Sequence, residues 1–221
     1  MTYVDDGNFD HDLTYLATIA EPKAIRDYYA ADVVMYLVVS GGIGISGLSH
    51  QPGYQGLSAP GGSGETGYAP FASAALQFNC ALLAPEPGPG PPCVDYYVFP
   101  HEFAHNFGAN HNIENSPWPN YPTTYTPPGP LESYAFGRYG NATGMNGGYR
   151  TLMSYFEGPA LCDTPCSRVG YYSNPAVTTP DGFKTGNSAA NNAAVIQMYA
   201  SATAQYRISE RIFSDGFEVA Q

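Results

Sequence analysis

The sequence predicts a mixed α/β domain rich in loops, and three observations lead there. Val33-Val34-Met35-Tyr36-Leu37-Val38-Val39 is an unbroken, largely β-branched apolar run that reads as a buried central strand. Apolar residues recur at helical spacing near both ends of the chain. Between them, 25 Gly and 20 Pro make up about a fifth of the 221 residues and only 12% are charged, a composition of packed elements joined by long turns. With 43% hydrophobic residues the chain can bury a core, which excludes a disordered protein.

Taken in order, residues 10–30 read as a helix interrupted by Pro22, with Leu13, Leu16, Ala17, Ala20 and Ile25 on its apolar side. The strand at 33–39 follows, then Gly41-Gly42 turns the chain into a Gly-rich second strand at 43–48. Within 68–83 an edge strand at 72–78 is one reading, and its alanines fit a helix equally well. Residues 85–92 are a rigid Pro/Gly excursion. A helix is expected within 94–109, and Pro100 is tolerated there only if the helix starts near residue 96 or later. Residues 134–139 suit a short strand. A last helix spans about 188–207, offering Ala194, Ile196, Met198, Tyr199 and Tyr206 for burial. No internal repeat is evident.

Eight basic residues against nineteen acidic ones give a formal net charge of −11. Such a chain gains nothing from a polyanion, so nucleic acid and anionic membrane surfaces are poor partners. No stretch approaches the roughly 18 apolar residues of a membrane span. The first residues are acidic and lack the apolar core of a signal peptide, so none is expected in this chain; a cytosolic protein, the mature part of a longer precursor and a shortened gene product are the readings this leaves open. The four cysteines, Cys80, Cys93, Cys162 and Cys166, sit at short spacings in Pro/Gly-rich loops, which favours an exported protein. Cys80–Cys93 and Cys162–Cys166 are the bridges to expect, although four cysteines admit three pairings and four free buried thiols are the alternative. His11 and His50 read as surface residues.

Three of the five histidines fall within eleven residues, His101-Glu102-Phe103-Ala104-His105-Asn106-Phe107-Gly108-Ala109-Asn110-His111. On a helix, His101 and His105 share a face one turn apart and can point at one metal ion. Glu102 lies about 100° further round, within reach of a water on that metal but badly placed to ligate it. Gly108 can take the left-handed conformation that ends a helix, letting His111 approach from another direction. Three neutral imidazoles leave one tetrahedral position open, the pattern of a catalytic zinc. Five fixed positions of this kind recur by chance on the order of once in 10⁵ chains of this length.

H-E-x-x-H-x-x-G-x-x-H followed by a Met-turn is the signature of the metzincin metallopeptidases, and this chain resembles them. Thr151-Leu152-Met153-Ser154-Tyr155 is similar to the Met-turn, and the segment from Cys162 to Pro175, with Gly182 and Gly186, is similar to the bacterial reprolysin-like peptidases. Among these, the peptidyl-Asp metalloendopeptidases look nearest. The resemblance implies a two-lobed fold: a twisted, mostly parallel sheet with an antiparallel edge strand, an active-site helix and a C-terminal helix. The N-terminal lobe would be residues 1–110, the C-terminal lobe 111–209 and a tail 210–221, all one catalytic domain. The family's first strand would precede the helix at 10–30, so a shortened N-terminus is expected. By the same resemblance His101, His105 and His111 would bind Zn²⁺, Met153 would form an apolar base beneath them, and Tyr155 would steady the oxyanion. Asn112 departs from the Asp that reprolysin-like members carry after the third histidine, so its link to the Met-turn is expected to differ.

The function expected is a secreted, monomeric, zinc-dependent endopeptidase acting on peptides or proteins. In it, Glu102 takes the proton of a zinc-activated water and hands it to the leaving amine. The alternatives are a zinc-binding pseudoenzyme and a secreted binding or adhesion module with a structural zinc. Residues 156–172 would shape the pocket beyond the scissile bond, and Arg138, Arg150 and Arg168 are the cations available to an acidic substrate residue.

Overall fold

The computed structural model describes residues 6–38, 47–54, 57, 59–63, 66–77, 97–115, 130–141, 148–155 and 166–207. The first helical stretch is two helices, α1 (Phe9–Thr18) and α2 (Ala20–Tyr28), separated at Ile19, whose backbone is extended. Pro22 explains the break. Its ring would clash with the carbonyl four residues back, on Thr18, so α1 ends there, and Pro22 falls in the first turn of α2, where no N–H is needed. Asn8 caps α1 by accepting from the Asp10 amide at 3.0 Å.

Among the described residues three strands form the main sheet, in the order β1-β3-β2. β1 is Val34–Val38, β2 is Gly47–Ser49 and β3 is Ser73–Gln77. β3 runs parallel to β1, with Val34 opposite Ser73, and antiparallel to β2, with Gly47 opposite Leu76. Two expectations are corrected here. Among the described residues the apolar run is a lateral strand whose Leu37 is 43% exposed, and the alanine-rich stretch expected at an edge, or in a helix, is the central strand. Ser73, Ala74, Ala75 and Leu76 are all buried because elements pack on both faces, and small side chains let them come close.

Alternation along the strands sorts those faces. On one, Ala75, Val38 and the partly buried Val34, Tyr36 and Leu48 meet Phe9, Leu13 and Leu16 of α1. On the other, Leu76 and Met35 meet Val98 of α3 (Val98–His105). Pro100 sits in the first turn of α3, as its chemistry demands.

Beyond α3 the strands are short. β4 (Asn110–Asn112) pairs in parallel with β5 (Phe136–Gly137). β6 (Tyr139–Asn141), β7 (Gly148–Arg150) and β8 (Cys166–Arg168) make a third sheet, with β7 antiparallel to β6 and parallel to β8. The single strand expected at 134–139 is thus split at Arg138 between two sheets. The last helix, α4 (Asn192–Thr203), is shorter than expected and begins at Asn191, whose side chain accepts from the Ala194 amide at 3.2 Å. After it the chain returns to the first sheet's end: Tyr206 is buried with Tyr68, Ala69 and Ala72, and Arg207 donates to Ala69 O at 3.0 Å and to Asp27 Oδ1 at 3.1 Å. No described helix is long and apolar enough to cross a membrane.

Candidate metal centre

α3 delivers two of the three histidines. His101 Nδ1 donates to Leu152 O and His105 Nδ1 to Ala109 O, both at 2.8 Å. A carbonyl can only accept, so the proton of each neutral ring is on Nδ1 and the Nε2 lone pair points away from the backbone. Those Nε2 atoms each lie 3.1 Å from Nε2 of His111. Donor atoms of the three side chains all fall within 4.8 Å of one another. Burial, together with the neighbouring imidazoles, holds His101 and His111 well below the usual histidine range, and burial brings His105 to about 4. The Nε2 lone pairs of His101 and His105 thus converge on Nε2 of His111, an arrangement that a cation between the three rings would satisfy. Ligands of a tetrahedral zinc at roughly 2.0–2.1 Å lie about 3.3 Å apart, close to the separations here, so the donor set fits that ion.

The turn that brings His111 in is a glycine-ended helix terminus. Ala109 N donates to Ala104 O at 3.1 Å and Gly108 N to His105 O at 2.9 Å, the paired bonds of a Schellman cap. Gly108 has φ of +87°, and a Cβ there would come within 2.6 Å of Leu131 Cδ1. The chain then enters β4, which is held on two sides. Gln51 Nε2 donates to Ala109 O at 3.1 Å. Asn192, at the start of α4, binds both backbone groups of Asn110, accepting from its N–H at 3.3 Å and donating to its C=O at 3.1 Å. The Asn110 side chain in turn bonds Tyr54. Asn192, Gln51 and Tyr54 escaped the sequence reading. The one available signal was Asn191-Asn192, two capping-type residues where a helix needs one.

The segment 151–155 closes the other side. Ser154 N donates to Thr151 O at 3.0 Å, making a tight turn, and its Leu152 carbonyl is the acceptor for His101. Met153 has no exposed surface and packs with Ala104 and Ala109, flanked by Tyr172 and Ile196. β5 passes close behind, where a Cβ on Gly137 would come within 2.5 Å of Ser154 Oγ. Asn112 does link the third-histidine segment to this turn: its Oδ1 accepts from Tyr155 N at 3.0 Å. Its amide donates to Glu114 Oε2 at 3.1 Å and Asn115 Oδ1 at 2.9 Å, bonds a carboxylate could not make. The Tyr155 ring is edge-on to His111, with centroids 4.4 Å apart, and 5.7 Å from His101.

Glu102 is 6% exposed, and burial pushes its carboxyl up to about 8 against a weaker opposing pull from Arg168. Arg150 donates to Ser154 O at 2.9 Å, and Arg138 to Gly186 O at 2.7 Å. His50 corrects its sequence reading. It is half-buried, with Nδ1 3.1 Å from Ser73 Oγ and its ring edge-on to Phe71. Cys166 is disulfide-bonded, while Cys80, Cys93 and Cys162 lie outside the described residues. So do residues 156–165 and the tail from 208 onward.

No family model matches the chain. It is similar to proteins named peptidyl-Asp metalloendopeptidase. That of Stenotrophomonas maltophilia strain K279a is 30% identical over 217 residues, covering 93% of this chain and 40% of the relative. Strain R551-3 of the same species has one 29% identical over 185 residues, covering 80% and 33%. A Xanthomonas campestris protein of that name is 29% identical over 207 residues, covering 88% and 37%. The chain therefore spans two-fifths or less of the length of the curated relatives it matches. A similar fold occurs in a solved structure described as "Structure of a chaperone-substrate complex", with a TM-score of 0.56 and 16% identity over 94% of this chain and 26% of the other. Similarity to metalloendopeptidases over most of the chain, together with the three-histidine group, supports a metallopeptidase relationship and a bound metal ion.

Proposed function

We propose that this chain is the catalytic part of a zinc-dependent endopeptidase of the metzincin type, with residues 1–110 and 111–209 as its two lobes. The observation that carries this reading is the convergence of His101, His105 and His111 beside the buried carboxyl of Glu102. Among the described residues no fourth His, Cys, Asp or Glu joins the group, which argues against a closed structural site. Zinc, when bound by the three imidazoles, supplies a Lewis acid that acidifies water and polarises a carbonyl.

The chain's own residues do the rest. Leu152 O and Ala109 O fix the tautomers of His101 and His105, so their Nε2 lone pairs are committed to the ion. Glu102 takes the proton of the attacking water and passes it to the leaving amine, a role for which a raised carboxyl affinity is suited. The Tyr155 hydroxyl donates to the developing oxyanion, and Met153 forms an apolar base beneath the three imidazoles.

The relatives' name brings to this proposal a preference for peptides containing Asp. Of the candidate arginines, Arg168 acts electrostatically on Glu102, His101 and His111 and Arg150 on His101, which supports these two as the cations available to an acidic substrate residue. Secretion of a monomer with disulfides at Cys80–Cys93 and Cys162–Cys166 completes the reading. Incubating the protein with a mixed peptide library tests it. Cleavage should vanish on chelation, return on adding zinc and cluster at Asp; cleavage indifferent to chelator would contradict a metal-dependent reaction.

A further inference from the structure

Gly47 opens β2 opposite Leu76 of β3 and lies against α3. A Cβ built on it would stand 2.7 Å from Cγ, 2.9 Å from Oε1 and 3.0 Å from Cδ of Glu102. Its backbone is not in the left-handed region, so glycine is not needed there for conformational freedom. What it provides is space.

Either β2, α3 or the Glu102 side chain would have to yield to a larger residue. β2 is fixed by its ladder to β3 and by a buried polar network. Asn106 Nδ2 donates to Ser49 Oγ at 2.8 Å, and the Tyr68 hydroxyl contacts both His50 O at 2.7 Å and Asn106 Oδ1 at 3.2 Å. Asn106 and Tyr68 have no exposed surface. α3 is fixed by the bonds of His101 and His105 to Leu152 O and Ala109 O. The Glu102 side chain, with its rotatable bonds, is the part that can move.

We infer that Gly47 is a positioning residue: its missing side chain reserves the volume in which the Glu102 carboxylate stands, and the Asn106–Ser49 bond sets the width of that volume. The inference rests on Glu102 being the general base. Carboxylate placement matters only as the proton moves, so a displaced Glu102 lowers kcat while leaving KM and the metal ligands alone.

Gly47→Ala, studied in the full chain, tests this. The expected result is an unchanged zinc content, KM within about threefold and kcat lowered about tenfold or more. Its crystal structure is expected to show β2 in place and the Glu102 carboxylate displaced. Should Gly47→Ala fail to fold, the Gly47→Ala/Glu102→Ala double variant should fold, because the clashing atoms are gone. Full kcat in Gly47→Ala, an undisplaced carboxylate, or a double variant that also fails to fold would overturn the inference. A wild-type protein that cleaves nothing refutes the peptidase reading instead, and the crystal structure then still decides whether Gly47 places Glu102.

Discussion

Asn192 shows how much of the three-histidine group depends on residues outside it. Its carboxamide mimics a strand edge, satisfying the N–H and C=O of Asn110 one residue before His111. Asn110 N also donates to Ala135 O at 2.8 Å, so Asn192→Ala leaves that donor paired within the sheet and removes the two side-chain bonds, at about 0.5–1.5 kcal/mol each. Urea denaturation should register that loss, and zinc affinity should fall with it; an unchanged midpoint would show the pairing to be dispensable. Gly108→Ala acts through the backbone. A left-handed alanine costs roughly 1–2 kcal/mol before its contact with Leu131 is counted, so melting should fall and His111 should be mispositioned. The grouping of the three histidines was legible because their chemistry and spacing are carried in a few adjacent residues. Asn192 was not, because its partner is 82 positions away in the chain and an asparagine at a helix start already has an ordinary explanation.

Among the elements, helices were read better than strands. Pro22 and Pro100 mark helix first turns by local sterics, which any sequence displays. β3 was misjudged because Ser73-Ala74-Ala75-Leu76 has little intrinsic strand preference; its place follows from tertiary packing, with α1 on one face and α3 on the other. Ala75→Val tests that explanation. Strand propensity alone says the change stabilises, whereas overpacking against Phe9 and Leu13 should destabilise by about 1–3 kcal/mol. A rise in melting temperature would show that the interface has slack. β5 and β6 were fused in the sequence reading for a different reason: the switch between sheets at Arg138 is made by pairing partners, which periodicity does not reveal.

At the scale of the whole molecule, the segment after α4 is tied to α2 and to the approach to β3 through Tyr206 and Arg207, and the polar network at β2 ties the first sheet to the helix that carries the histidines. His50 lies in that network, and burial lowers its proton affinity below the ordinary value. The unfolded chain therefore takes up this proton first as the pH falls below about 6.5, and folded stability drops with it. Relative to His50→Gln, the wild type should lose melting temperature between pH 7 and pH 5; parallel curves would mean that His50 titrates as if exposed. Under the proposed function, the choice of bond belongs to the loops around the site rather than to the fold.

In the proposed reaction Glu102 moves the proton while His101, His105 and His111 hold the ion. Peptide hydrolysis by Glu102→Ala, measured beside the wild type with the zinc content of both determined, tests it most directly. One zinc per chain is expected in each, and turnover only in the wild type. Turnover retained by the variant would contradict it.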